Sequence, residues 1–356
     1  MTQNDQWVEI DKKIFKLARA LPKFSSIFPN NFDEEKKLFL SGGKINPRFT
    51  YKSLKLKRFA EKFVQIIIPV NEPLSTFFES VLEQTKAYYC LLQNIGTDKF
   101  TNTDLYGQPT KKLVNEAKEL LIQLADETAN KEKLKNDSGA KEVFQAELNR
   151  YNLSDWKIKI KPMTAKVAVD VEKKTILIKE NAIFSDEDLK RFLVHEIETH
   201  VFRTVNGFKQ PFLIFATAFI PGYLPTEEGL AVYNEIKAGL LTNHRLRIFT
   251  GRVLAVDYSL RLSFRDTYNK LLQFFEPETA FQLTFRAKRG LSDTSKPGGF
   301  IKDHVYLEGK FLIDEYVSKG GDLKLLYSGK IGINNLTPTL TKILKPPRLL
   351  PNYLKS

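Results

Sequence analysis

The chain has 356 residues, one cysteine (Cys90) and a formal net charge of +13. Its length allows one large or two ordinary domains, the lone cysteine excludes an intramolecular disulfide and suits a reducing compartment, and no run approaches the ~20 apolar residues of a membrane span. The opening Met1-Thr2-Gln3-Asn4-Asp5 lacks a signal-peptide pattern and the scattered lysines accompany no nucleic-acid fold signature, so the expectation is a soluble cytoplasmic protein with no nucleic-acid or membrane partner and a surface suited to acidic ones.

Residues 1–151 read as a helical part that packs around a catalytic core. Val8, Ile14, Leu17, Ala18 and Leu21 fall at helical spacing over Gln6–Leu21, and Pro22 ends the run. Phe32–Leu40 predicts a short helix closed by Gly42-Gly43, and Asn46-Pro47 a turn. Apolar residues from Leu54 to Ile67 predict a third helix stopped before Pro69. Glu72–Asn94, Thr110–Ala129 and Ala140–Tyr151 predict three more, with Lys131–Gly139 as a charged connector.

Residues 152–335 read as the core itself. At Trp156 the period changes to two, over Trp156–Lys161, Lys166–Val171 and Thr175–Lys179, which predicts a small antiparallel sheet with one wet face. Its edge is a place where an extended peptide can add a strand. Ser185-Asp186-Glu187-Asp188 caps a helix that runs into Phe192-Leu193-Val194-His195-Glu196-Ile197-Glu198-Thr199-His200-Val201-Phe202-Arg203.

Two of the four histidines sit in this stretch, with Glu196 directly after the first. The zinc-peptidase spelling is H-E-x-x-H, which puts both imidazoles on one helix face. The spacing in this chain is one residue longer. Five residues of regular helix turn about 500°, leaving the second His roughly 140° from the first. Both reach one metal only if the helix widens locally, as a single π-type turn does. A pair of packed core histidines is the competing reading. Burying two imidazoles and two carboxylates without partners costs several kcal/mol, which a shared metal removes.

Downstream comes Pro221-Gly222-Tyr223-Leu224-Pro225-Thr226-Glu227-Glu228-Gly229-Leu230-Ala231-Val232-Tyr233-Asn234-Glu235. Thr226 reads as a helix cap. Glu227 and Glu228 then either complement the helix dipole or supply a carboxylate ligand for a two-His-one-Glu catalytic set. Glu235 lies two turns after Glu228 and can orient a ligand histidine from behind, with an ordinary salt bridge as the other reading. Leu246–Phe275 predicts a structural pair of helical segments. Residues 336–356, with Lys345-Pro346-Pro347-Arg348 and Pro351, predict a basic, proline-rich, extended or disordered tail.

The motifs His195-Glu196-Ile197-Glu198-Thr199-His200 and Thr226-Glu227-Glu228-Gly229-Leu230-Ala231 together resemble the microtubule-associated tyrosine carboxypeptidases and their bacterial Gln-Glu-Gly-Leu-Ala relatives. Asn46-Pro47, Leu105-Tyr106-Gly107-Gln108-Pro109, Arg203, Asn206-Gly207, Gln210-Pro211, Arg289-Gly290, Lys302-Asp303 and Tyr306-Leu307 extend the resemblance over most of the chain. Glu227 stands where the bacterial motif has Gln. The resemblance implies an α+β, predominantly helical zinc-metallopeptidase fold with a small sheet beside the metal helix. It implies zinc on His195, His200 and Glu228, with Glu196 as general base. The animal members remove a C-terminal tyrosine from α-tubulin, so the expected partner is a peptide or protein C-terminal tail, acidic in character. A carboxypeptidase needs a cation for the substrate's terminal carboxylate; Arg203, Arg286, Arg289 and Lys302 are the candidates, with Tyr306 or His304 as oxyanion donor. Two rival readings stay open: an inactive metal-binding protein that recognises a partner, and a metallo-hydrolase of a non-peptide substrate.

Overall fold

The computed structural model describes residues 3–42, 45–124, 134–163 and 165–355. The expected end of the Thr110–Ala129 helix, the start of the 131–139 connector and Gly43 lie outside these. The chain forms two compact units, each assembled from separated stretches: Met1–Phe15, Glu127–Thr242 and Gly309–Ser356 in the first, Lys16–Asp126 and Asn243–Glu308 in the second. The sequence reading divided the chain linearly, at 151 and 335. The architecture is predominantly helical with two small sheets. Among the described residues no helix is long and apolar enough to cross a membrane.

The first unit is built on the strands Lys157–Lys161, Val167–Asp170 and Thr175–Lys179. Thr175–Lys179 is central, with Ile176 and Ile178 fully buried. Val167–Asp170 pairs with it antiparallel, but Lys157–Lys161 pairs with it parallel, so the sheet is mixed where the alternating pattern predicted an antiparallel one. Alternation reports which face is wet and is silent on strand direction. The edge strand Val167–Asp170 packs against the 193–201 segment. The core joins Phe144, Leu148, Trp156, Ile176 and Ile178 to Ile197, Val201, Phe202, Leu230 and Tyr327. Ser185 caps the Asp186–Phe192 helix as expected, its hydroxyl accepting from Asp188 N at 2.9 Å.

The segment expected to be an extended or disordered tail is folded onto this unit. It carries a helix, Pro338–Ile343, and a buried Leu349. Asn206 holds it with three hydrogen bonds and uses a fourth on the preceding Tyr327. Its Oδ1 accepts from Arg348 N at 3.0 Å and Leu349 N at 2.9 Å, and its Nδ2 donates to Leu349 O and Tyr327 O, both at 2.8 Å. The prolines made the segment look unstructured, but prolines forbid only their own N–H bonds, and the neighbouring donors are used.

The second unit has a core of phenylalanines: Phe32, Phe39, Phe49, Phe264, Phe281 and Phe285. Edge-to-face pairs hold it, such as Phe39 on Phe264 with centroids 5.0 Å apart. The helix Lys111–Gln123 packs on Asn243–Ser259, where Arg247 Nη1 donates to Leu121 O and Leu124 O and so satisfies the helix's C-terminal carbonyls.

Candidate metal centre

Residues Leu193–Val201 form a π-helix, the widened turn that the five-residue spacing demanded. It brings the two imidazoles to one side, with ring centroids 5.0 Å apart at 78°. The Thr199 hydroxyl donates to Val194 O five residues back, at 3.2 Å. Glu196, beside His195, is buried.

The helix Tyr223–Lys237 faces this turn. It begins after Gly222, whose φ of +71° is open to glycine, rather than at Thr226. Thr226 lies inside the helix and its hydroxyl accepts from Ile333 N at 3.0 Å. Glu227 and Glu228 are therefore past the first turn and buried, which removes dipole complementation as their reason. Glu228 Oε2 lies 3.7 Å from His195 Nε2 and 3.9 Å from His200 Nε2. The ligand atoms of all three residues fall within 4.8 Å of one another. Gly229 follows because the backbones nearly touch at that point: a Cβ there would meet Gly309 O at 2.2 Å.

The far edge of each ring is anchored. His195 Nδ1 donates to Glu235 Oε1 at 2.6 Å, and His200 Nδ1 donates to Glu227 Oε1 at 2.8 Å. A proton on each Nδ1 leaves a lone pair on each Nε2, turned toward Glu228. Two neutral imidazole nitrogens and one carboxylate oxygen, spaced near the roughly 3.4 Å that separates ligands of a tetrahedral zinc, fit a divalent cation. The site already draws positive charge: burial opposes protonation of His195, yet Glu228 and Glu235 outweigh it and raise the imidazole to about 9.

Behind the ligands the charges are paired. Glu227 ion-pairs with Arg203 and Lys330. Burial would push its carboxyl up, but Lys330 and Arg203 hold it well below the usual carboxylate range. Glu235 has Arg191 Nη1 at 3.5 Å. Asn234 Nδ2 donates to Thr199 Oγ1 and Tyr327 Oη, both at 2.7 Å, and Tyr353 donates to Asn234 Oδ1 at 2.6 Å. The first of these bonds fixes the Tyr223–Lys237 helix to the π-helix, and the other two tie it to Tyr327 and Tyr353.

A family model described as "Microtubule-associated tyrosine carboxypeptidase" matches residues 36–356. The chain belongs to the microtubule-associated tyrosine carboxypeptidase family. The Mus musculus protein of that name, number 1, is 26% identical over 291 residues, 79% of this chain and 54% of the relative. Its Homo sapiens counterpart is 26% identical over 292 residues, with the same coverage of 79% and 54%. The Rattus norvegicus protein is 32% identical over 177 residues, 47% of this chain and 36% of the relative. The chain spans about half the length of the first two relatives.

The residues put forward for this family's substrate carboxylate separate into two groups. Arg203 is in the first unit, is 0% exposed, and spends its guanidinium on Glu227, Leu326 O and Ile331 O. It is a buried buttress of Glu227, behind the candidate ligand His200, and this corrects its assignment to substrate. The apolar frame around it was the available signal, since an arginine flanked by Phe202, Thr204 and Val205 has no solvated side. Arg286, Arg289, Lys302 and Tyr306 lie together in the second unit around Asp303. Sequence reasoning missed Glu227 as the anchor of His200, and missed Lys330, Asn234, Tyr327 and Tyr353. The substitution of Glu for the bacterial Gln at 227 signalled an extra buried charge that needed cations.

Proposed function

We propose that the chain is a zinc-dependent carboxypeptidase that removes a C-terminal residue, tyrosine or another aromatic, from an acidic peptide or protein tail. The observation that carries this reading is the convergence of His195 Nε2, His200 Nε2 and Glu228 Oε2 within 4.8 Å, with both Nδ1 atoms tied to carboxylates. His195, His200 and Glu228 would hold zinc, which when bound polarises the scissile carbonyl and acidifies water. Glu196 takes the water's proton and delivers it to the leaving amine. Glu227 and Glu235 hold the Nδ1 side of each imidazole and aim its Nε2 toward Glu228. The outer edge of Val167–Asp170, unpaired among the described residues, offers an extended substrate main-chain hydrogen bonds beside the site. The net charge of +13 favours an acidic tail, and the relatives named tyrosine carboxypeptidases support the terminal residue. A cytoplasmic setting accords with the single cysteine.

Metal content and peptide release test the proposal. His200→Ala and Glu228→Ala should each lose zinc, and full occupancy in both rejects the ligand set. Glu196→Gln should keep zinc and lose turnover by ~100-fold or more. A peptide library with varied C-terminal residues should release single residues. Release of none by the zinc-loaded chain favours a partner-binding role, and hydrolysis of non-peptide esters alone favours the other rival.

A further inference from the structure

The helix Lys57–Val64 and the loop after it present apolar side chains that the chain itself does not bury. Phe59, Phe63 and Ile66 are buried and anchor the segment. Val64, Ile67 and Val70, at every third position, are 82%, 81% and 75% exposed. The loop that carries them is held in place. Ile66 N donates to Phe63 O at 3.2 Å, Ser75 Oγ donates to Pro69 O at 2.5 Å, and Glu72 N donates to Ser75 Oγ at 3.0 Å. A single exposed aliphatic is ordinary on a surface, but three along one anchored tip mark a contact surface.

Cations flank this tip in the sequence. Lys52, Lys55, Lys57, Arg58 and Lys62 are exposed, against the exposed Glu61 and the half-buried Glu72. Lys52 and Lys57 also line a pocket of 490 Å³, together with Ser53, Gln93 and Ser292. Lys57 and Val64 are seven residues apart on one helix, so they share a face with about 10 Å between their Cα atoms. That spacing is comparable to the roughly 5–10 Å by which interfacial segments sink into the boundary between lipid headgroups and acyl chains. Side chains this exposed project rather than line a groove. A structured protein partner has to supply a matching cavity for them, whereas an acyl layer takes projecting aliphatics without one.

We propose that this surface docks the chain on an anionic lipid bilayer. Val64, Ile67 and Val70 enter the acyl boundary, and Lys52, Lys57 and Lys62 meet headgroup phosphates, with the 490 Å³ pocket as the seat for one headgroup. The whole surface belongs to the second unit. The expectation of no membrane partner rested on the lack of a membrane span, and a segment that lies on a bilayer needs none.

The test is co-sedimentation of the full chain with phosphatidylcholine vesicles, with and without about one-third phosphatidylserine. Wild type should sediment with the anionic vesicles and stay in solution with the neutral ones, and added salt should weaken the binding. Ile67→Ser combined with Val70→Ser should weaken it ~10-fold or more, through the lost apolar burial. Lys52→Gln combined with Lys57→Gln should also weaken it ~10-fold or more, through the lost attraction to anionic lipid. Ile122→Ser, which removes an aliphatic that is 78% exposed on the helix Lys111–Gln123, should leave binding unchanged. No sedimentation of the folded wild-type chain with anionic vesicles, equal binding to both kinds of vesicle, or binding that neither double variant weakens overturns the proposal. Dimers that Ile67→Ser with Val70→Ser abolishes, in a chain that ignores vesicles, overturn it in favour of a second copy of the chain.

Discussion

The two units bury charge in opposite ways. Around the candidate metal centre the buried carboxylates Glu196, Glu227, Glu228 and Glu235 stand beside the cations Arg191, Arg203 and Lys330. In the second unit one buried carboxylate, Asp303, stays ionised in the field of Arg286, Arg289, Lys302 and Arg252, whose side chains are half-buried. The first arrangement gives each imidazole a carboxylate anchor and turns its remaining nitrogen toward Glu228, so negative charge is offered to a cation at one point. The second sets one buried carboxylate among cations that are only half-buried, so the charge is held from the rim rather than from within. A buried charge is tolerable when it is part of a paired, hydrogen-bonded network.

Removing the central carboxylate of each network compares them most directly. Asp303→Asn removes the buried carboxylate that pairs with Arg286 and should destabilise the chain by about 3–5 kcal/mol, in line with breaking a buried ion pair. Glu227→Gln leaves Arg203 and Lys330 facing a neutral amide and should cost a similar or smaller amount, because Arg203 keeps Leu326 O and Ile331 O. The glutamine oxygen can still accept from His200 Nδ1, as the bacterial spelling of the motif implies, so zinc content should survive in Glu227→Gln. Urea unfolding of both variants with metal analysis checks this. A Glu227→Gln chain that is stable but zinc-free would mean that the charge, not the hydrogen bond, positions His200.

A smaller effect is expected where the metal centre is fixed sterically rather than by charge. Gly229→Ala would place a Cβ 2.2 Å from Gly309 O, a backbone atom that cannot swing aside. The helix Tyr223–Lys237 and the helix Val305–Ser318, which carries Gly309, must part, at about 3 kcal/mol, near the upper end for overpacking. Because Glu228 precedes Gly229, metal affinity should fall together with the thermal midpoint. A normal midpoint with weakened metal binding would show that the helices slide without separating.

The sequence revealed local chemistry and concealed distant partnership. His195 and His200 could be read because five residues on one helix carry a geometric consequence, the π-turn, which the structure has at Leu193–Val201. The Ser185 cap was readable for the same reason, since its partner Asp188 is three residues away. Lys330 reaches Glu227 across 103 residues, and Asn206 reaches Leu349 across 143. No spacing rule covers such distances, so the folding of residues 336–355 onto the first unit and the burial of Arg203 were invisible. Strand direction was lost too, because alternation is identical in parallel and antiparallel pairing. Thr226 misled because a threonine before two glutamates looks like a helix start, whereas Gly222 already supplies the turn.

The finest test of the contrast lies at a carboxylate that belongs to neither network. Asp11 is buried in the first unit and accepts from Leu213 N at 2.7 Å and Ile214 N at 2.9 Å. Burial outweighs these two bonds and nearby Lys12, and raises its carboxyl from 3.8 to about 6. The folded chain therefore holds this proton more tightly than the unfolded one, and between about pH 4 and 6 the folded state binds more protons. Stability contributed by the protonated group is fully present below about pH 4 and is lost as pH rises through about 6, up to about 3 kcal/mol. Asp11→Asn has no proton to lose, so it removes this slope, and it gives up one N–H bond at a cost of about 1 kcal/mol. Wild type should be the more stable of the two near pH 4, and the variant should equal or exceed it at pH 7. Urea midpoints for both chains at pH 4.5, 5.5 and 7 read the crossover, and two parallel curves would show that the backbone bonds, not burial, govern Asp11.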